Sequence, residues 1–291
     1  MLAALAAVGA AVAIALVAAD RQSSSTLDAP AGGIPEPRPE LDIVIDEPTG
    51  GREPRGLVWV LCCGAWRSAA AHGVDLASRA DRRGLASLDW TRRGYRVATF
   101  ASTGGAAAVE ESLAAFDRLR EEHPDLSICA FGGSAAGHMA LMVAAQRPEL
   151  SCVIAHSSPS SLADLPDEAI PGVLPEPPLS LARDAFGAAR MDELSPLRRA
   201  GDIAASVRLV ACSEDRIVPV AQSRRLARAL RRRDGDAAVE LAVLPGESVR
   251  LGRRAPRGSR EVIHRCFVSE RRIARAEAAT AEFVERALAE D

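Results

Sequence analysis

The chain has 291 residues, of which 48% are hydrophobic, and its formal net charge at neutral pH is -3. This length and apolar content suffice for one sizeable α/β domain, or two small ones, with a buried core. Proteins that bind nucleic acid need a basic face for the phosphates, so the slightly acidic balance argues against nucleic acid as a partner.

The first 19 residues form an uninterrupted apolar run, and a polar stretch rich in Pro, Gly and Ser follows it to about residue 40. A run of this kind is typical of an export signal or a single membrane anchor. We therefore predict a signal peptide or anchor at residues 1–19, a flexible linker at 20–40, and an exported or membrane-anchored protein. A buried helix is the alternative, as is a cytoplasmic protein whose start codon has been misassigned.

Residues 41–291 predict a single domain of alternating strands and helices. Short apolar, β-branched runs predict strands at 41–45, 57–63, 95–100, 126–131, 151–156, 207–212 and 238–244. Between and after them, helices are predicted at 68–92, 107–122, 135–146, 221–232 and 273–288. This rhythm is that of an α/β fold with a doubly wound, mostly parallel sheet and helices on both faces. A Pro-rich interval at about 157–202 interrupts it and predicts a small cap-like insertion.

The chain has six cysteines, which in an exported protein could form disulfides. Cys129, Cys152 and Cys212 lie in or at the end of predicted strands, where a thiol packs as a small apolar group. We expect these three to be buried free thiols. Cys62 and Cys63 have no partner pair at metal-ligand spacing, so no metal site is predicted.

The segment GGSAAG at 132–137 follows a predicted strand and opens a predicted helix. Reactive groups of doubly wound sheets gather at the carboxyl ends of strands, and a sharp turn around a nucleophile requires very small neighbours. We predict that Ser134 is a nucleophile whose negative charge the helix N-terminus favours. An ordinary Gly/Ala-rich turn is the alternative. His138, one helical turn further on, is expected to pack rather than to act as a base.

This turn resembles the nucleophile elbow, G-x-S-x-G, of the α/β-hydrolase family, with Ala136 in place of the second glycine. Within that family the chain is similar to the serine esterase and prolyl-oligopeptidase-like branch, over residues 57–288. The resemblance implies a serine hydrolase that needs no cofactor. It also implies a catalytic triad in the chain order nucleophile, acid, histidine.

The segment VRLVACSEDRIVPV at 207–220 is similar to the family's strand and acid turn. The resemblance implies Asp215 as the acid that orients the imidazole and stabilises its protonated form. Glu214 is the poorer candidate, and a solvated turn residue without a catalytic role is the alternative.

The family's histidine usually follows the last strand within a loop like P-G-x-x-H, where this chain has Ser248 and Val249. His264 is the only histidine C-terminal to Asp215, and an extension of the loop over residues 250–259 would leave it as the base. The alternative is a structural histidine in a strand-like segment, without a complete triad. The other three histidines are expected at the surface or in loops: His72, His123 and His156.

Esterases of this fold carry an HGGGW-like turn whose backbone N–H groups bind the oxyanion. The corresponding residues here read Cys-Cys-Gly-Ala-Trp. Because the donors are backbone amides, the resemblance implies an oxyanion hole formed by Gly64, Ala65 and the N–H of Ala135. Trp66 is expected to line the substrate pocket or to pack in the core. A Cys63 nucleophile is a further alternative.

Together these features predict a hydrolase of small or medium carboxylic esters that works through an acyl-enzyme, with a small-molecule ester as its partner. The same triad could serve a peptidase, an amidase or an acyltransferase. The altered oxyanion turn and the displaced histidine also leave open a non-catalytic binding protein with a hydrolase fold.

Overall fold

The computed structural model of the protein describes residues 41–85, 88–171, 173–233, 237–249 and 254–289. The predicted leader and linker, residues 1–40, lie outside these ranges. Among the residues described, no helix combines the length and the apolar character needed to cross a membrane.

A seven-stranded sheet forms the centre of the molecule, in the order β1-β3-β2-β4-β5-β6-β7. Only the edge strand β1 runs antiparallel to its neighbour, as predicted for a mostly parallel sheet. The strands correspond to the seven predicted ones: β1 (Ile43–Asp46), β2 (Leu57–Cys62), β3 (Arg96–Ala101), β4 (Ile128–Gly133), β5 (Cys152–His156), β6 (Ser206–Cys212) and β7 (Val239–Leu244).

Helices cover both faces of the sheet and bury it from two sides. They are α1 (Arg79–Leu85), α2 (Ala108–Glu122), α3 (Ala135–Ala144), α4 (Pro178–Phe186), α5 (Ala221–Leu230) and α6 (Glu270–Ala287). Trp59 of β2 contacts Phe116 of α2, with 6.0 Å between ring centroids, whereas its neighbour Val58 belongs to the apolar cluster on the other face, together with Val284 of α6. Successive side chains of a strand point to opposite faces, so a strand buried on both faces is apolar throughout.

The long helix predicted at 68–92 is wrong in extent, since among the described residues of this range only Arg79–Leu85 is α-helical. A short 3-10 turn, Ala70–His72, precedes this helix and ends at Gly73, which adopts a left-handed conformation with φ 63°. Glycine takes this conformation without steric cost, and it ends the helical turn.

The segment between β5 and β6 contains α4, whose first residue is a proline that suits the start of a helix. The ring of Phe186 at its end lies 5.3 Å from that of Trp66, measured between centroids. This contact joins the segment to the turn that follows β2. The role of residues 157–202 as a cap stays a prediction.

A second sheet of three short strands was not predicted. It has the order β8-β10-β9, with β8 (Glu247–Ser248), β9 (Ser259–Ile263) and β10 (Cys266–Ser269). The strands β9 and β10 form a hairpin whose two turn residues, His264 and Arg265, have φ values of 53° and 57°. Such turns normally use Asn-Gly or Asp-Gly, so the sequence carries no recognisable hairpin signal here.

The six cysteines are paired as disulfides, Cys62 with Cys63, Cys129 with Cys152, and Cys212 with Cys266. The expectation of buried free thiols was therefore wrong. Cys129 and Cys152 are register partners on neighbouring strands, and their Cα atoms are 4.5 Å apart. That separation suits a disulfide, and it depends on strand register, which the sequence does not reveal.

Removing the disulfide between β4 and β5 is expected to destabilise the fold. The Cys129→Ala/Cys152→Ala variant should lose about 3 kcal/mol of unfolding free energy, since a cross-link over 23 residues restricts the unfolded chain by about that much. Urea unfolding of the oxidised wild type and the variant measures the difference. Equal unfolding free energies would show that the cross-link contributes nothing.

Candidate active site

Ser134 lies in a sharp turn between β4, which ends at Gly133, and α3, which begins at Ala135. Its φ and ψ are 54° and -126°, a strained conformation typical of a nucleophile elbow. Strand and helix pass so closely that a Cβ on Gly132 would lie 2.5 Å from the backbone carbonyl carbon of Ala136. The turn therefore requires glycine at 132 but accepts the methyl group of Ala136.

Asp215 lies in the turn that follows β6, and its side chain is fully buried. One carboxylate oxygen, Oδ1, accepts hydrogen bonds from the backbone N–H groups of Ile217 and Val218, both 2.9 Å long. These bonds fix the carboxylate and leave Oδ2 for another donor. The neighbouring Glu214 is exposed, as expected for the poorer candidate.

His264 occupies the tip of the β9–β10 hairpin, and its side chain is only 11% exposed. The distance from its Nδ1 to Oδ2 of Asp215 is 2.9 Å, and that from its Nε2 to Oγ of Ser134 is also 2.9 Å. The structure thus brings the three predicted residues together in one chain of hydrogen bonds. The histidine is indeed in a strand-like segment, yet the hairpin turn points it at the nucleophile.

The hydrogen bonds define the proton positions. Because the carboxylate of Asp215 can only accept, Nδ1–H of His264 donates to it, and the unprotonated Nε2 accepts from the hydroxyl of Ser134. This tautomer is the one that a general base needs in order to take the serine proton.

The proposed oxyanion turn forms one 3-10 turn, Gly64–Trp66, directly after β2. Ala65 and Trp66 both have φ 51°, and Nε2–H of His72 donates to the carbonyl oxygen of Gly64 over 2.8 Å. The contact with His72 was not expected from the sequence, since the spacing of eight residues carries no known signal. Ala135, the third proposed donor, is the first residue of α3, where backbone N–H groups have no partner within the helix.

Trp66 is buried, with 4% of its surface exposed, which favours the packing alternative over a pocket wall. Its ring packs edge-on against His138 and Phe186, and its indole N–H donates to Nδ1 of His138 over 3.1 Å. Since α3 begins at the elbow, this bond fixes the oxyanion turn against the helix that follows Ser134. The expected packing role of His138 is confirmed.

Residues 101–266, more than half of the chain, match the sequence signature of the prolyl oligopeptidase family. The chain belongs to this family. The matched region begins at the end of β3 and includes Ser134, Asp215 and His264. The fold is accordingly the α/β-hydrolase fold, as the resemblance implied. No match was found among curated proteins.

Solved structures with this fold include peptidases and an ester hydrolase. A puromycin-hydrolyzing peptidase of Mycobacterium tuberculosis is 20% identical, with a TM-score of 0.60, and the alignment covers 85% of this chain and 37% of that one. For the acylaminoacyl peptidase of Pyrococcus horikoshii the values are 17%, 0.55, 85% and 39%. The chain thus spans little more than a third of the length of either peptidase.

A third similar structure is the acetyl ester-xyloside bifunctional hydrolase of Caldicellulosiruptor lactoaceticus. It is 16% identical, with a TM-score of 0.54, and the alignment covers 70% of this chain and 77% of that one. At such identities the likeness concerns the fold.

Two further histidines of this family member have a lowered pKa, His138 in the core and the partly buried His156 at the end of β5. Burial lowers the pKa of His138 to about 4, and its Nε2–H donates to the carbonyl oxygen of Leu194 over 2.7 Å. Burial also lowers the pKa of His156 to about 4, with a further contribution from the positive charge of Arg208. His156 ends β5 and packs against Phe131, so its expected place at the surface or in a loop was wrong.

Acid should destabilise the protein before its carboxylates titrate. Below about pH 6.5 the unfolded chain protonates His138 and His156, whereas the native protein protonates them only near pH 4. The unfolding free energy therefore has its full value above pH 6.5. It falls as the pH decreases towards 4, by up to about 3 kcal/mol for each histidine. Urea unfolding at a series of pH values measures this, and a free energy that stays level between pH 6.5 and 4.5 would contradict it.

Proposed function

We propose that this member of the prolyl oligopeptidase family hydrolyses carboxylic esters with small or medium acyl groups through an acyl-enzyme. The observation that supports this most is the unbroken hydrogen-bond chain from Ser134 through His264 to Asp215, with 2.9 Å at each step. A non-catalytic binding protein has no need of that arrangement.

In the proposed reaction, Nε2 of His264 takes the proton of Ser134 while Oγ attacks the ester carbonyl carbon. The carboxylate of Asp215 stabilises the imidazolium that forms. Backbone N–H groups of Gly64, Ala65 and Ala135 stabilise the oxyanion of the tetrahedral intermediate. The imidazolium then returns its proton to the leaving alcohol, and water hydrolyses the acyl-enzyme by the same route. Side chains and backbone amides supply each step without a metal or cofactor.

Peptide hydrolysis is the second candidate function. The family match favours it, as do the peptidases among the similar structures. The triad itself does not distinguish an ester from an amide, because both pass through the same acyl-enzyme. The ester hydrolase of similar fold supports the first candidate to the same degree.

We also propose that the protein is exported or anchored in a membrane through residues 1–19. The three disulfides support this proposal, because structural disulfides persist mainly in oxidising compartments.

A matched substrate panel tests the proposed specificity. The purified chain is assayed with unactivated esters, such as ethyl butyrate and triacetin, and with aminoacyl and peptidyl anilides, each beside the Ser134→Ala variant. We expect turnover of the esters, with a kcat/KM at least tenfold above that of the best anilide. A higher kcat/KM for an anilide would assign the protein to the peptidases instead.

A further inference from the structure

The disulfide between Cys212 and Cys266 joins the two segments that carry the proposed acid and base. Cys212 ends β6, three residues before Asp215, and Cys266 opens β10, two residues after His264. We propose that this disulfide is a positioning cross-link that holds the His264 hairpin against the Asp215 turn, and that full hydrolytic activity depends on it. The inference rests on the proposed serine hydrolase function.

The hairpin needs such a link because it lies outside the main sheet. Its strand β10 pairs with β9 and with the two-residue strand β8, and none of the three joins the seven-stranded sheet in the described part of the chain. In the described part of the chain, the N–H of Val249 also donates to the carbonyl oxygen of Arg265 over 2.9 Å, which supports the turn. Covalent attachment to β6 therefore connects the hairpin to an inner strand of the seven-stranded sheet.

The residues around the disulfide leave space for its two sulfur atoms. Both cysteines are buried, with 1% and 0% of their surface exposed, in a small apolar cluster with Leu244 and Val268. A Cβ on Gly246 would lie 2.5 Å from Sγ of Cys212 and 2.7 Å from Sγ of Cys266, so only glycine leaves room for both sulfurs. Gly246 belongs to the loop in which the family pattern places its histidine. Here that loop packs against the cross-link.

Loss of the cross-link should affect the chemical step more than substrate binding. His264 makes both of its catalytic hydrogen bonds from the hairpin tip, and a displacement of about 1 Å can lower a catalytic rate about a hundredfold. We expect the kcat of a Cys212→Ala/Cys266→Ala variant to fall at least tenfold, with a KM within about threefold of the wild type.

The experiment compares this variant with Cys129→Ala/Cys152→Ala, which removes the other long-range disulfide from the opposite end of the neighbouring strands. Both are made in the full chain and compared with the oxidised wild type for kcat, KM and the rate of fluorophosphonate labelling. Circular dichroism spectra establish that the variants are folded. A fall in kcat that is confined to the Cys212→Ala/Cys266→Ala variant supports the positioning role of the cross-link. Wild-type kcat in that variant, or equal falls in both, would overturn it.

Hydrogen–deuterium exchange separates the cross-link from the proposed function. Amides of residues 259–269 should exchange faster in the Cys212→Ala/Cys266→Ala variant than in the control variant, whether or not the protein turns over an ester. Unchanged exchange overturns the positioning role, whereas faster exchange in a protein whose wild type is inactive contradicts only the proposed function.

If the first variant does not fold, the wild type is partly reduced and alkylated. Molecules alkylated at Cys266 should then be those that fail to label at Ser134. Labelling that persists in these molecules overturns the proposal.

Discussion

Replacing Ser134 with alanine is expected to lower the kcat of ester hydrolysis by at least about 10⁴-fold while the protein stays folded. The alanine removes the proposed nucleophile, the Oγ atom that lies 2.9 Å from Nε2 of His264. The His264→Ala variant should lose a similar factor, because nucleophile and base act as one unit. Steady-state kinetics with an ester substrate measure both.

The matched control for the histidine is His123→Ala. His123 follows α2 and contacts Arg96 through Nδ1 at 3.2 Å, far in the fold from the triad. Its replacement should leave kcat within about threefold of the wild type. If Ser134→Ala retained more than about a hundredth of the wild-type kcat, another group would have to be the nucleophile.

The kcat of the Asp215→Asn variant is expected to fall about 10⁴-fold, because the substitution stabilises the wrong tautomer of His264. The backbone N–H groups of Ile217 and Val218 both require an acceptor at the Oδ1 position. The asparagine must therefore turn its carbonyl oxygen towards them and its NH₂ group towards Nδ1 of His264. That nitrogen then accepts, the proton moves to Nε2, and the imidazole can no longer take the proton of Ser134.

Glu214→Gln is the control for this substitution, since it removes the adjacent carboxylate, which is exposed. The kcat of this variant should match the wild type within about threefold. The Asp215→Asn variant should also keep its melting temperature, because the amide replaces the carboxylate without a change of shape. Comparable losses of kcat in the two variants would show that Asp215 has no special role.

The elbow and the acid turn could be predicted because their signals are local. Ser134 is surrounded by the small residues that a tight strand-to-helix turn needs, and the close approach of Gly132 to Ala136 shows the physical reason. The seven strands of the main sheet could also be predicted from local sequence, since each is a short, mainly apolar run. The central strands β2 and β4 have this pattern because both faces of the sheet are covered there.

The hairpin around His264 could not be predicted from local sequence. Its turn is formed by histidine and arginine in left-handed conformations, a pair without turn propensity, and the strand β8 has only two residues. The position is determined by contacts between distant segments, above all the pairing of Cys212 with Cys266. For the same reason the disulfides were missed, because cysteines in strands look like packing residues until the register is known.

Labelling of the full chain with a fluorophosphonate probe shows whether Ser134 is a nucleophile that His264 activates. The modified residue is located by peptide mass spectrometry, in the wild type and in His264→Ala. We expect labelling at Ser134 in the wild type and its loss in the variant, because the probe reacts only with a serine whose proton a base removes. A folded wild-type protein that does not react, or that reacts at Ser134 equally well without His264, would contradict it.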